Sequence, residues 1–255
     1  MCLIFLALKQ HPTYKFILAA NRDEFYKRKT APAAFWEDEP AIVGGRDLEA
    51  GGTWLGMNTN GRISMVTNYR DLRNIKPVAP SRGHLVSDFL STTKNAETYA
   101  AEIEPRAKEY NGFNLLVGDA ERLLYISNYR DKVEKLTDGI YGLSNHLLDT
   151  PWPKVKNGKE IFSKLISEEV LHSEMFFQFL TNEDRASDEL LPDTGIGLER
   201  ERALSAMFIK SPGYGSRCST VILVDQDNNV TFSERVYDLE TFAPTTSTFT
   251  FTIRD

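Results

Sequence analysis

Hydrophobic and polar positions divide this chain into short apolar runs separated by turn residues, with two blocks of helical period between them. Residues 2–8 and 14–20 are apolar runs joined by Gln10-His11-Pro12-Thr13, which predicts a β-hairpin that ties the start of the chain into a sheet. A second hairpin is expected over residues 52–57 and 62–68, with Asn60-Gly61 at its turn. The period then changes. Residues 81–93 place Leu85, Val86, Phe89 and Leu90 on one helical face, and residues 96–110 continue in good helix formers, so two helices should cover one sheet face. Strands are expected at 113–117 and 123–127 around Gly118-Asp119, and again at 139–143. Residues 151–180 read as two helices, the second starting near Ser173. Acidic residues 182–201 read as a surface excursion ending in a short helix near 202–208. Strands at 220–224, 230–236 and 246–253 close the chain.

Strands joined by hairpins, in place of regular βαβ alternation, argue for an antiparallel α+β layered fold over a doubly wound parallel sheet. A length of 255 residues with 41% hydrophobic and 26% charged residues allows a sizeable core, and residues 1–255 are expected to form a single domain. The net charge of -6 is dispersed and Lys27-Arg28-Lys29 is the only basic run, so nucleic acid is not an expected partner. Two cysteines are too few for a disulfide framework and fit a reducing compartment. Residues 2–8 are too short to span a bilayer and lack the flanks of a secretion signal. A cytoplasmic protein without stable membrane insertion is expected, with homo-oligomerisation left open. No G-x-G-x-x-G, Walker A or H-E-x-x-H pattern occurs, and Gly213-Tyr214-Gly215-Ser216 is too short and poorly placed for a phosphate loop.

Candidate chemistry begins at Cys2. Removal of Met1 would place a thiol nucleophile and a free α-amine on one residue, and an amine titrating near pH 8 can act as the base. The competing reading is an ordinary buried strand in which cysteine is a small hydrophobe. Asn21-Arg22-Asp23-Glu24 follows the second apolar run, and chain reversal at 10–13 brings it beside the start of the first strand. Asp23 could then hold the α-amine and Arg22 could lower the thiol pKa; a solvated run of charges is the alternative. Polar groups also stand at other expected strand ends. Met65-Val66-Thr67-Asn68 and Ser144-Asn145-His146 end strands, and Gly215-Ser216-Arg217-Cys218-Ser219 opens one. Such asparagine amides and backbone N–H groups are the donors an oxyanion hole needs, although asparagine also favours turns. Cys218, next to Arg217 on a strand, is expected to point the opposite way into the core. The aromatic residues Phe25, Tyr26, Phe35 and Trp36 are candidates for core packing or for an acyl pocket beside Cys2. His11, His84, His146 and His172 show no metal-ligand spacing.

Taken in order, MCLIFLA, AANRDEF, GGTWLGMNTNGRISMVTNYRD, GLSNHLLDTPWPK and GYGSRCSTVILVD resemble the NRDE family, whose eukaryotic members are the transport-and-Golgi-organisation-2 homologues. More distantly, the layout is similar to penicillin V acylase and the choloylglycine hydrolases. That resemblance implies an N-terminal-nucleophile hydrolase fold, a four-layer αββα sandwich of antiparallel sheets. By position it implies Cys2 as nucleophile, Arg22 and Asp23 as the pair after the second strand, and Asn145 as the oxyanion asparagine. Asn68 would supply a backbone N–H to the hole, and Arg217 would be the late arginine supporting the nucleophile. Arg22 and Asp23 are adjacent here and further apart in those hydrolases.

The resulting expectation is an N-terminal-cysteine hydrolase cleaving the linear C–N amide bond of an N-acyl small molecule, with no cofactor. The alternative is a non-catalytic binding or trafficking protein on the same scaffold, carrying haem or another hydrophobic ligand, as the resemblance to eukaryotic members linked with Golgi organisation and haem mobilisation implies. Cys2, His11 and His146 are then the candidate axial ligands.

Overall fold

The computed structural model describes residues 2–254. Strands β1 (Cys2–Leu8), β2 (Tyr14–Phe25), β3 (Thr30–Phe35), β4 (Ile42–Asp47), β5 (Leu55–Asn58) and β6 (Ile63–Asn68) lead into helices α1 (Gly83–Ser91) and α2 (Ala96–Ile103). Strands β7 (Phe113–Gly118), β8 (Leu123–Ser127), β9 (Glu134–Leu136) and β10 (Gly139–Leu143) follow, then helices α3 (Pro153–Leu165), α4 (Ser173–Leu180) and α5 (Leu198–Leu204). Strands β11 (Lys210–Ser211), β12 (Tyr214–Asp225), β13 (Asn229–Tyr237) and β14 (Pro244–Thr252) complete the chain.

The strands form two antiparallel sheets. Sheet A has the order β10-β1-β2-β12-β13-β14, with β11 paired to β12, and sheet B runs β3-β4-β5-β6-β7-β8-β9. Alternation along each strand then sorts the core into three slabs. Ile4, Leu6, Leu8, Leu18, Met57, Met65, Tyr125 and Ile222 fill the space between the sheets. Phe89, Leu90, Tyr99, Leu115 and Ile126 pack α1 and α2 on the outside of sheet B. Phe5, Ile17, Ala19, Phe162, Phe176 and Val221 pack α3 and α4 on the outside of sheet A. The result is the four-layer αββα sandwich.

Local chemistry sets the helix ends. Asn95 caps α2 by accepting from the Thr98 N–H at 2.8 Å. The α-helical turn stops at Ile103 because Pro105 has no N–H to continue it, and the chain tightens into a 3-10 turn over Glu104–Glu109. Helix α3 opens on Pro153 and lies against β1 at Gly158, where an added Cβ would stand 2.1 Å from the Phe5 ring. Only glycine allows that approach.

Several boundaries differ from the sequence reading. Strands β3, β4 and β9 lie where no strand was expected, since TAPAAF and IVGGRD carry Pro and Gly that weaken the signal. Strand β2 extends past Ala20 through Phe25 and β12 begins six residues before Thr220, so Asn21 to Glu24 and Ser216 to Ser219 are interior to strands instead of at their ends. The two strands pair with one another over this stretch. The last short helix is Leu198–Leu204, earlier than 202–208.

Candidate active site

The β1–β2 register sets Cys2 directly opposite Arg22. Cys2 and Arg22 therefore share the sheet face that Ile4 and Ala20 present to sheet B, and Cys218, opposite Arg22 on β12, shares it too. Cys2 is only 9% exposed and lines a narrow cleft with Arg22, Trp54, Leu55, Val66 and Thr220. The Arg22 guanidinium lies over the Trp54 ring at 4.0 Å, with the Glu24 carboxylate also 4.0 Å away. The aromatic wall of this cleft is Trp54. Phe25, Tyr26, Phe35 and Trp36 do not line it, because β2 continues to Phe25 and carries that segment beyond the cleft mouth.

Burial pushes the Cys2 thiol above the ordinary cysteine range, with the Asp23 carboxylate adding to the rise and the Arg22 charge opposing it. The expected lowering of the thiol pKa by Arg22 is present but smaller than desolvation. Cys218 is buried as expected and is pushed further up by burial and by the neighbouring Glu234 carboxylate.

Asn145 follows β10, whose ladder with β1 ends at Ile4 opposite Leu143. Beyond that ladder Ser144 and Asn145 turn toward the end of β6, where the Ser144 carbonyl accepts from the Thr67 hydroxyl at 2.7 Å. The Asn145 side chain is held in place: Nδ2 donates to the Asn68 carbonyl at 3.0 Å, Oδ1 accepts from the Ser144 hydroxyl at 3.2 Å, and its backbone carbonyl accepts from the Arg70 N–H at 2.7 Å. The structure thus joins Asn68 and Asn145 directly.

Asp23 points to the other face of sheet A, because it is one residue past Arg22. There it accepts from the Ser216 hydroxyl at 2.6 Å, while Asn21 accepts from Ser219 at 2.6 Å and donates to the Leu180 and Met207 carbonyls. Cross-strand hydroxyls let these polar side chains sit in a strand interior. Burial raises the Asp23 carboxyl, and the Lys154 ammonium opposes that rise.

Arg217 is not brought to Cys2. A β-bulge between Ser216 and Cys218 leaves it out of the ladder, and its guanidinium donates to the backbone carbonyls of Phe25 at 3.0 Å, Tyr26 at 3.3 Å and Arg28. It fastens the turn after β2.

Three residues near the site were given no role from the sequence. Lys154, second residue of α3, is buried, and its Nζ has no hydrogen-bond partner among the described residues. Burial pulls this amine down to about 8, against the pull of Asp23. Arg70 forms a buried ion pair with Glu201 at 2.9 Å and lies over Trp152 at 4.9 Å. A lysine in the first turn of a helix opposes the helix dipole, and that was the available signal; nothing local marks the Arg70–Glu201 pair, whose partners are 131 residues apart.

The histidines do not fit a haem ligand set in this arrangement. His11 Nδ1 accepts from the N–H groups of Thr13 and Tyr14, leaving Nε2 to bond the Glu168 carbonyl. His146 is bonded at Nε2 to Tyr69 and at Nδ1 to Thr150, both at 2.9 Å. Cys2 is buried in its narrow cleft. Among the described residues there is no cluster of three or more metal-ligating His, Cys, Asp or Glu side chains, and no helix is long and apolar enough to cross a membrane.

With this geometry in hand, residues 1–239 match the family described as Transport and Golgi organisation 2. The chain belongs to that family. It is 37% identical over 277 residues to the mouse Transport and Golgi organization 2 homolog, covering all of both chains. Among solved structures, a mutant conjugated bile acid hydrolase from Clostridium perfringens superposes with a TM-score of 0.52 at 8% identity, covering 100% of this chain and 97% of that one. The Caenorhabditis elegans orthologue of N-acylethanolamine-hydrolyzing acid amidase gives 0.52 at 11% identity over 87% and 92%. At such identities the likeness carries the fold, which is that of the N-terminal-nucleophile hydrolases.

Proposed function

We propose that this family member is an N-terminal-cysteine amidohydrolase that cleaves the C–N bond of a linear N-acyl amide. The observation that carries the reading is the position of Cys2, at the start of β1 directly opposite Arg22, in a cleft between the sheets. A conjugated bile acid hydrolase and an N-acylethanolamine-hydrolyzing acid amidase of the same fold support it.

Removal of Met1 frees the α-amine, which takes the thiol proton as sulfur attacks the acyl carbon. Asn145 spends one N–H on the Asn68 carbonyl and keeps the other for the developing oxyanion, together with a backbone N–H near Asn68. The amine leaves with the proton returned by the α-ammonium, and a thioester remains. Water, deprotonated by the same α-amine, adds to the thioester and releases the acid and the thiol. Asp23 lies behind the strand and steadies the α-ammonium. The reading includes a cytoplasmic setting, in keeping with two free buried thiols, and a small-molecule substrate.

Intact mass of purified protein and a panel of N-acyl amides test it. A chain lacking Met1 that hydrolyses an amide is the expected result, with Cys2→Ser at least about a hundredfold slower, roughly 3 kcal/mol of transition-state stabilisation. Cleavage by Cys2→Ala at the wild-type rate would end the hydrolase reading.

A further inference from the structure

Residues 144–146 leave β10 in sheet A and cross to the end of β6 in sheet B, and their three consecutive carbonyls are all held from sheet B. The Ser144 carbonyl accepts from the Thr67 hydroxyl at 2.7 Å, the Asn145 carbonyl from the Arg70 N–H at 2.7 Å, and the His146 carbonyl from Asn114 Nδ2 at 2.9 Å.

Asn114 is fully buried near the start of β7, on the face that Leu116 presents to sheet A. An aliphatic residue would suit that place, since Met65, Leu116 and Tyr125 fill the same slab. The amide is instead used completely. Besides the His146 carbonyl, Nδ2 serves the Thr67 hydroxyl oxygen at 3.0 Å, and Oδ1 accepts from the Tyr125 hydroxyl at 2.8 Å. The direction of these bonds is forced, because a backbone carbonyl only accepts and the amide nitrogen must face His146. Thr67 then accepts from Asn114 and sends its own proton to Ser144. Two of the three carbonyls thus depend on Asn114, one directly and one through Thr67. A buried polar network of this kind fixes one arrangement, since each broken bond leaves a buried group unsatisfied.

These bonds bracket Asn145. Its backbone is held on both sides, and its Nδ2 donates to the Asn68 carbonyl at 3.0 Å, so the N–H that remains has one direction. A donor to an oxyanion contributes most when its direction is set before the reaction begins.

We propose that Asn114, acting with Thr67, is a positioning residue for Asn145 and holds its second N–H toward the acyl oxygen. As a statement about catalysis this rests on the amidohydrolase reading; the fixing of residues 144–146 stands apart from it.

The test compares Thr67→Val, which keeps the shape of the residue and removes its hydroxyl, with Thr67→Ser, which keeps the hydroxyl. On an N-acyl amide that the wild-type chain cleaves, Thr67→Val should lower kcat at least about tenfold with KM within about twofold, and Thr67→Ser should recover most of the loss. Alkylation of Cys2 by iodoacetamide, which develops no oxyanion, should stay within about twofold of wild type in both. Asn114→Leu should give the same pattern with a larger fall in kcat, and adding Thr67→Val to it should cost little more, because both act on one segment. A wild-type kcat in Thr67→Val, a joint loss of kcat and Cys2 alkylation, or no recovery in Thr67→Ser overturns the proposal. Should melting show that Asn114→Leu does not fold, the Thr67 pair decides alone. Hydrogen exchange at the Arg70 amide, which is bonded to the Asn145 carbonyl, reads the same segment without substrate and should be at least about tenfold faster in Thr67→Val than in Thr67→Ser. If the wild-type chain cleaves no amide in the panel, the amidohydrolase reading fails and this exchange decides: faster exchange keeps the positioning of Asn145, and unchanged exchange overturns it.

Discussion

Lys154→Met offers a direct reading of what the buried ammonium costs. Methionine has nearly the shape of the lysine stem and no charge, so the substitution removes the ammonium with little change of packing. Lysine titrates near 10.4 in an unfolded chain and at about 8 here, a difference of roughly two and a half units. Each unit is about 1.4 kcal/mol, so the protonated amine destabilises the folded state by about 3 kcal/mol at pH 7. Part of this is offset, because Lys154 also relieves the buried Asp23 carboxylate, whose carboxyl would rise further without it. A net gain of about 1–2 kcal/mol is expected at pH 7, which in a chain of this size raises the melting temperature by about 2–8 °C. The direction with pH follows from the depressed folded value. The penalty is complete below pH 8, fades as pH rises from about 8 toward 10.4, and is absent above that. Melting of both proteins by scanning calorimetry between pH 6.5 and 10.5 checks this. The variant's advantage should shrink across that upper interval. A variant less stable than wild type at pH 7, or an advantage unchanged at pH 10.5, refutes the reasoning.

Arg70→Leu should cost about 3–5 kcal/mol in urea unfolding because Glu201 is left buried and unpaired, and the double change Arg70→Leu with Glu201→Leu should recover most of the loss; equal loss in both would mean the ion pair is not the source. After Met1 is removed, iodoacetamide should label Cys2 faster than Cys218, whose thiol is held well above the usual range by burial and Glu234, and peptide mass spectrometry showing faster labelling of Cys218 would count against Cys2 as nucleophile. Asn145→Ala should lower kcat of the proposed amide hydrolysis by about a hundredfold to a thousandfold with KM nearly unchanged. Arg217→Ala should loosen the turn at residues 25–28, seen as faster proteolysis there, while kcat falls less than tenfold; a loss as large as that of Cys2→Ser would restore Arg217 to the site.

The parts of the fold that declare themselves in sequence are those whose signal is local. Residues 2–8 form a strand because seven apolar residues in a row can be buried on both faces at once, as they are between α3 and sheet B. The helix at residues 83–91 shows its four buried positions at helical spacing. Strands β3 and β4 stayed hidden because their stability comes from pairing with each other and with β5, not from their own residues. The same distinction separates the site residues. Residues 21–24 could be placed beside Cys2 from one short turn, although which of them faces it, Arg22 and not Asp23, is set by the register itself. Arg217 could not be placed from spacing, since a single bulge decides where its side chain goes.

Lys154 shows where such reasoning stops and what replaces it. Its sequence neighbours, Trp152 and Pro153, announce a helix start, and a lysine there reads as a solvent-facing charge. Only the close approach of Gly158 to Phe5 brings the helix start down over Asp23 and encloses the amine. A longer residue at 158 would lift α3 from β1 and give Lys154 back to water. The burial of one amine is therefore set by the absence of a side chain one turn away, and Gly158→Ala should raise the Lys154 pKa toward its ordinary value as well as destabilise the fold. Chemical-shift titration of the lysine Nζ in that variant would show it, and an unchanged titration in a variant that is measurably less stable would mean that the helix had not moved.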